Sequence, residues 1–106
     1  MIKVRIFKES TDRIVGFEVA GHSGTAAHGQ DIVCAGVSSL TQTALLGLGE
    51  HLHRDMDYSV ASGKLKMQLK SAPDELTETL LQTMLLGLME IAKLSPEGVR
   101  IQEQRR

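Results

Sequence analysis

IVGFEVAGHSGTAAHGQDIVCAGVSSL is the sequence of residues 14–40. Along this stretch the residue pattern changes from that of a strand to that of a loop and then to that of a helix, and this change decides the fold. Its first part, Ile14–Ala20, is rich in β-branched side chains, which are typical of a β-strand. Alternation along this part places Val15, Phe17 and Val19 on one face. We therefore predict a strand that buries this face and ends at Ala20.

The middle part of the stretch, Gly21–Gln30, has small and polar residues and almost nothing to bury. We predict a loop here, because a loop of this length in a small domain is often functional. Its glycines would let a substrate backbone approach closely, so they form a predicted substrate-binding loop: Gly21, Gly24 and Gly29.

The last part begins with Asp31, a residue type favoured at helix N-caps. An apolar stripe at spacings of three and four then predicts a helix: Val33, Val37, Leu40, Ala44 and Leu48.

Outside this stretch, apolar alternation and turn residues predict four more strands and a second helix. The predicted strands are Met1–Phe7, Tyr58–Val60, Lys64–Lys70 and Val99–Gln102. The second helix is predicted to start at Ser71-Ala72-Pro73-Asp74 and to end at about Leu94. Arg105-Arg106 should form a frayed tail. The second helix is apolar over more than half of its circumference, so the sheet and first helix, or a partner chain, must cover it. The order strand-strand-helix-strand-strand-helix-strand predicts an α/β fold of the α+β type. Residues 1–106 should form a single small domain with a sheet of about five strands and two helices.

Composition excludes several classes of protein. The chain has 106 residues, one cysteine and a net charge of −1 at pH 7. A single cysteine excludes an internal disulfide and a C-x-x-C zinc or redox pair. The near-neutral charge and the aromatic content of 3% predict no direct binding to nucleic acid. No apolar run approaches the roughly 18 residues of a membrane span, and no signal-peptide pattern is present, so we expect no membrane contact and a cytoplasmic location.

The histidines offer a rival chemistry, because imidazole and thiolate groups bind zinc. The candidate ligands are His22, His28, His51, His53 and Cys34. They show no recognised ligand spacing, so we predict no metal site and no cofactor.

Cys34 is the residue whose position points to catalysis. With Asp31 as the N-cap, Cys34 falls in the first helical turn, where unpaired N–H groups and the helix dipole favour a thiolate. The same N–H groups are candidate oxyanion donors. Helical spacing puts Asp31, Cys34 and Ser38 along one edge of the helix. His22, at the end of the second strand, is placed to accept the thiol proton.

Each of these residues also has an ordinary structural explanation. A lone cysteine in a helix is most often a small buried hydrophobe. N-capping alone accounts for Asp31, close helix packing for Ser38, and a loop position for His22. The catalytic interpretation depends on the combination of a glycine-rich loop, a flanking histidine and a cysteine at a helix start.

Two motifs in this region are similar to the signature of the ribosomal-processing cysteine protease family, Prp. Residues 21–24 read Gly-His-Ser-Gly, and residues 29–38 read Gly-Gln-Asp-Ile-Val-Cys-Ala-Gly-Val-Ser. The family pattern is a Gly-His pair, a short loop with glycine, then Gly-x-Asp-Ile-Val-Cys-Ala and a serine one turn on. The chain also resembles the family in its length, its order of elements and its Leu- and Met-rich second helix. It departs from the pattern at Ser23, where a small apolar residue is frequent, and at His28.

The resemblance implies a cytoplasmic, homodimeric cysteine endopeptidase that removes the N-terminal extension of a bacterial large-subunit ribosomal protein. The expected partner is that ribosomal protein precursor, whose cleaved sequence is hydrophobic and aromatic in the family. By motif position His22 is the general base and Cys34 the nucleophile, with Asp31 and Ser38 in supporting roles. The alternative is a non-catalytic ribosome-associated module that binds a peptide without turnover.

Overall fold

The computed structural model describes residues 1–21 and 28–106, except for the side chains of residues 28–31. The strands are β1 (Ile2–Lys8), β2 (Ile14–Ala20), β3 (Met56–Ala61), β4 (Lys64–Leu69) and β5 (Val99–Arg105). The helices are α1 (His28–Leu46), which continues into a π-helical turn (Gly47–His51), and α2 (Glu75–Leu94). The predicted fold class is confirmed, with five strands and two helices in the predicted order.

The sheet has the strand order β3-β4-β2-β1-β5. β5 runs parallel to β1, and every other pair of neighbours is antiparallel. One hydrophobic cluster joins the helices to the sheet: it holds Ile2, Val4 and Ile6 of β1 together with Val37 of α1 and Leu88 of α2. These β1 residues alternate along the strand, so both helices pack on one side of the sheet.

β2 departs from simple alternation, and the prediction that Val15 shares its buried face is wrong. The pairing with β1 shifts between Phe7 and Lys8, so that Val15 has no partner on that strand. This β-bulge reverses the alternation locally. Ile14 is therefore fully buried and Val15 only half-buried, while Phe17 is buried as predicted.

β5 is longer than predicted, and its end is ordered rather than frayed. Its parallel pairing with β1 continues to the Lys8–Arg105 pair. The Arg105 guanidinium lies 2.9 Å from an Asp12 carboxylate oxygen. The Arg106 guanidinium carbon lies 3.8 Å from the centroid of the Phe7 ring, within cation–π range. The last residues of β5 are therefore anchored by contacts of long polar side chains. Because these side chains are not apolar, the segment shows no apolar alternation in the sequence.

α1 begins at His28, so two predictions about its start are wrong. Asp31 is not the N-cap, and the loop does not extend to Gln30. Cys34 consequently lies in the second turn of the helix rather than in the first. No proline blocks the extra turn, and Gly29 costs the helix only about 1 kcal/mol, which tertiary packing further along outweighs.

α2 begins near the predicted position, and Asp74 is its N-cap. The Asp74 carboxylate accepts hydrogen bonds from the N–H groups of Leu76 and Thr77, at 3.0 and 3.1 Å. The Thr77 hydroxyl accepts the Asp74 N–H at 2.9 Å and completes a capping box. The Thr77 N–H and the Arg54 guanidinium both stabilise the carboxylate, so they lower the pKa of Asp74 below its usual value. Pro73 precedes this cap and lies outside the helix rather than in its first turn.

One helical segment, Ile32–His51, is long and apolar enough to cross a bilayer by composition alone, with a mean hydropathy of 1.5. The same segment buries Val37, Ala44 and Leu48 in the core. The core helix of a globular domain has the same composition, so this segment is weak evidence for membrane contact.

Candidate active site

The Cys34 side chain lies on α1 between the core and a cavity. It is half-buried, packs against the hydrophobic cluster, and lines a cavity of about 110 Å³. Ser38, one helical turn further on, lines the same cavity. The lining also includes Gly21, at the end of β2, and Gly63, in the turn between β3 and β4. The structure therefore brings together three of the residues predicted for the site.

Gly21 occupies a position that only glycine fits. Its φ of +89° is in the left-handed region. Its N–H donates a hydrogen bond to the Gly63 carbonyl oxygen at 2.9 Å. A Cβ at this position would overlap the backbone carbonyl oxygen of Met1. The residue to which His22 is bonded is thus locked onto the wall of the Cys34 cavity.

The remaining predicted site residues are placed less completely. His22 and Gly24 lie outside the described residues, and so does the side chain of Asp31. The backbone of Gly29 is helical, so this glycine belongs to the start of α1, and its contact with substrate stays a prediction.

The position of Cys34 in the second turn changes the electrostatics of the site. Unpaired N–H groups belong to the first four residues of a helix, and the effect of the dipole falls off within the first turn. The N-terminus of α1 therefore contributes little to a thiolate at position 34. The first-turn N–H groups that were candidate oxyanion donors belong to residues 28–31, one turn before Cys34.

Gln42 is a site residue that the sequence analysis missed. It lies one turn beyond Ser38 and lines both the Cys34 cavity and a larger cavity of about 430 Å³. Val60 of β3 also lines both, so the two cavities adjoin each other at Gln42 and Val60. The signal was available in the sequence, because the spacing of four that links Cys34 to Ser38 continues to Gln42.

The larger cavity has a mixed lining in which several large apolar side chains are exposed. Leu46 of α1 and Tyr58 and Val60 of β3 border it with 62%, 62% and 55% of their surface exposed. Large apolar side chains exposed together in a concave surface are typical of binding sites. Its polar lining, which can orient a ligand, consists of Gln42, Glu50, Arg54 and Asp55. β3 is also an edge strand, so one side of its backbone is free to pair with an extended peptide.

Among residues 1–21 and 32–106, whose side chains the structure describes, no group of three or more His, Cys, Asp or Glu residues is arranged to hold a metal ion. His51 and His53 are not among the residues that line the Cys34 cavity.

Comparison with known proteins decides the family. The model of the family described as Cysteine protease Prp matches residues 1–100. The chain belongs to the Prp family. It is a cysteine protease, an enzyme that hydrolyses peptide bonds. The resemblance seen in the sequence motifs is confirmed.

Two curated relatives are named ribosomal processing cysteine protease Prp. The one from Staphylococcus aureus is 28% identical over 104 residues, which are 95% of this chain and 97% of the relative. The one from Bacillus subtilis is 45% identical over 40 residues, which are 38% of this chain and 36% of the relative. The similarity to the staphylococcal Prp therefore extends over nearly the whole chain.

Solved structures share this fold. A crystal structure of the Staphylococcus aureus protease Prp with a substrate peptide has a TM-score of 0.90 and 23% identity, over 98% of this chain and 100% of that one. The same protease with a covalently linked product peptide has a TM-score of 0.88 and 24% identity, with the same coverage. A Streptococcus mutans protein is 27% identical, with a TM-score of 0.84 over 100% of this chain and 96% of that one.

We predict that Gly21→Ala destabilises this Prp protein. The new Cβ would meet the Met1 carbonyl in a left-handed backbone conformation, which costs on the order of 1–3 kcal/mol. Thermal unfolding followed by circular dichroism should show a lower midpoint. Gly49→Ala is the matched control, because its Cβ would meet only the flexible end of Met56, at 3.2 Å. Equal melting of Gly21→Ala and the wild type would mean that the turn at position 21 does not need glycine.

Proposed function

We propose that this protease removes the N-terminal extension of a bacterial large-subunit ribosomal protein, with Cys34 as nucleophile and His22 as general base. One observation carries the assignment: Cys34 and the glycine bonded to His22 line the same cavity. The names of the curated relatives support a ribosomal substrate, and the peptides bound to the staphylococcal Prp support an extended peptide as ligand.

The proposed reaction follows the cysteine–histidine scheme. His22 accepts the proton of the Cys34 thiol, and the thiolate attacks the scissile carbonyl carbon. The resulting tetrahedral intermediate collapses when the imidazolium donates its proton to the leaving amine, which departs with the C-terminal product. Water, deprotonated by His22, then attacks the thioester, and hydrolysis releases the N-terminal product and restores the thiol. His22 has the larger share of activation because Cys34 lies beyond the reach of the helix N-terminus.

Ser38 and Asp31 keep supporting roles in this proposal. The Ser38 side chain is exposed and lines the cavity one turn from Cys34, so its hydroxyl can hydrogen bond to a peptide in the cleft. Asp31 precedes Cys34 by three positions within α1. Its individual role remains a prediction from motif position.

Removal of the dyad should abolish cleavage without unfolding the protein. Cys34→Ala should give no product, because no thiolate forms, and His22→Ala should lower turnover by about 10²- to 10⁴-fold. Mass spectrometry of products from the ribosomal precursor measures both effects, and circular dichroism checks the fold. Ser39→Ala, at an exposed neighbouring position, is the control and should cleave normally. Full activity of Cys34→Ala would exclude Cys34 as the nucleophile.

Alkylation of the folded protein separates a poised nucleophile from an inert core thiol. Iodoacetamide should label Cys34 quickly in the wild type and slowly in His22→Ala, because the imidazole keeps the sulfur ionised. Labelling of the wild type only after denaturation would support the core-thiol interpretation and contradict the dyad.

We further propose that the larger cavity binds an apolar or aromatic side chain of the substrate. The cavity continues from Cys34 through Gln42 and Val60, so a peptide whose scissile bond lies at Cys34 can extend into it. The exposed surfaces of Leu46 and Tyr58 would lose contact with water on binding, which stabilises the complex.

Leu46→Asp tests this cavity. A carboxylate here should raise KM for the precursor peptide about tenfold or more, because it removes apolar contact area and adds a charge that must be desolvated. The fold should persist, since Leu46 is 62% exposed. Leu76→Asp is the matched control at 58% exposure, outside the cleft on α2, and should leave KM unchanged. Equal KM values for all three proteins would show that the substrate does not use this cavity.

We also propose a cytoplasmic homodimer. α2 leaves Leu86 and Met89 exposed, at 63% and 45%, on one face of a single chain. The sheet and α1 therefore do not cover this helix fully, as its excess of apolar residues suggested.

A reducing cytoplasm would also keep the free thiol of Cys34 available, and cell fractionation would detect this location.

Sedimentation velocity tests the oligomeric state. A homodimer should sediment with about twice the chain mass of 11.6 kDa, and Leu86→Asp should shift it towards the monomer, because a charge would be buried in the interface. Leu76→Asp is the control, about 15 Å away along the same helix. A wild type that sediments as a monomer at micromolar concentration would contradict the proposal.

A further inference from the structure

The side of the sheet that the helices do not cover, here named the open face, carries an unusual share of the positive charge. Along β1 the residues that alternate with the buried ones are exposed at Lys3 and Arg5. The register extends this set across the sheet, because Lys3 pairs with Arg100 of β5. Arg106 reaches the same side, where its guanidinium covers the Phe7 ring and donates to Gln68 at 3.2 Å. The cations of the open face are Lys3, Arg5, Lys64, Lys66, Arg100 and Arg106.

The near-neutral total charge conceals a strong separation of charge. The open face holds six of the twelve Lys and Arg residues of the chain but only two of its thirteen carboxylates, Glu18 and Asp57. Its net charge is therefore +4, and the rest of the chain, with six cations and eleven carboxylates, carries −5. A surface of one sign attracts ligands of the opposite sign whatever the total charge of the protein.

Ion pairing within the face neutralises only part of this charge. The Glu18 carboxylate lies 3.6 Å from Arg5 and 4.0 Å from Lys64, and its side chain is only 12% exposed. Among the described residues, neither Lys3 nor Arg100 forms an ion pair. Like charges directly opposite each other on neighbouring strands destabilise a sheet. A bound anion would remove this cost at the Lys3–Arg100 pair.

The surface chemistry favours one class of partner. Across the strands, Lys3 and Arg100 are neighbours about 5 Å apart, and Lys64 lies two strands, or about 10 Å, from Lys3. Along the strands, Lys64 and Lys66 are about 7 Å apart. A flexible polymer of anions can follow cations at these separations. The aromatic ring on this face, Phe7, is only 3% exposed, so bases have no stacking platform. Exposed apolar side chains, which form the centre of protein–protein interfaces, lie instead on the helix side, as Tyr58 and Val60 do.

We propose that the open face binds the phosphate backbone of single-stranded RNA without sequence preference. The choice of RNA among polyanions rests on the proposed ribosomal function. The position of the cations on the open face is given by the strand register and is independent of that function. Such a contact would hold the protease at RNA while the cleft, on the opposite side of the sheet, remains free for the peptide. The expectation of no nucleic-acid contact came from the total charge, which averages over both sides.

Fluorescence anisotropy with a labelled oligouridylate of about 20 nucleotides tests the proposal on the full chain. Binding at about 50 mM salt should weaken as salt increases, with a slope of about −0.7 in log K against log salt for each phosphate neutralised. Lys3→Gln/Arg100→Gln should weaken binding about tenfold and reduce the slope by about 1.4. The matched control is Arg13→Gln/Lys93→Gln, which removes the same two residue types away from the open face and should bind RNA like the wild type.

Three results would overturn the proposal: no binding by the wild type at about 50 mM salt, an equal loss in both double variants, or equal competition by a polyglutamate peptide at matched charge. The last would assign the face to acidic proteins.

Peptide cleavage is measured in parallel and should be unchanged in Lys3→Gln/Arg100→Gln, because Cys34 lies on the other side of the sheet. Failure of the wild type to cleave would count against the proposed function and leave the RNA result unaffected.

Discussion

The backbone at Gly21 joins three segments of the chain, and the active-site geometry depends on it. Its left-handed φ turns the chain out of β2, its N–H reaches the Gly63 carbonyl, and the Met1 carbonyl occupies the space of a Cβ. The start of β1, the end of β2 and the β3–β4 turn are thereby held together. Gly21 and Gly63 of this junction line the same cavity as Cys34, so the constraint that closes one corner of the sheet also fixes the residue to which His22 is bonded.

α1 serves the core and the site with different edges. Val37, Ala44 and Leu48 attach it to the sheet and α2, while Cys34 is only half-buried and Gln42 lies further along the cleft. A cysteine well inside a helix gains a rigid position but loses the unpaired N–H groups of the first turn. In the proposed mechanism, helix packing supplies the rigid placement of Cys34 and His22 supplies the activation of its thiol.

The sequence predicted most of the fold because its signals are local. Strand alternation and helical spacing located all seven elements, and the Gly-His and Asp-Ile-Val-Cys motifs identified the family. The errors arose where a distant segment decides the outcome. The bulge at Val15 depends on pairing with β1, the length of β5 depends on Asp12 and Phe7, and tertiary packing carried α1 past the capping signal at Asp31.

The sequence by itself determined the number and order of the elements, the free thiol, and the family signature that links His22 to Cys34, because each of these is carried by neighbouring residues. Only the tertiary structure decided the strand order β3-β4-β2-β1-β5, the cleft shared by Gln42 and Val60, and the gathering of cations on the open face. Periodicity shows which residues of one strand share a face. The partners of that strand depend on packing between segments far apart in the chain, and so does every site that is built across strands.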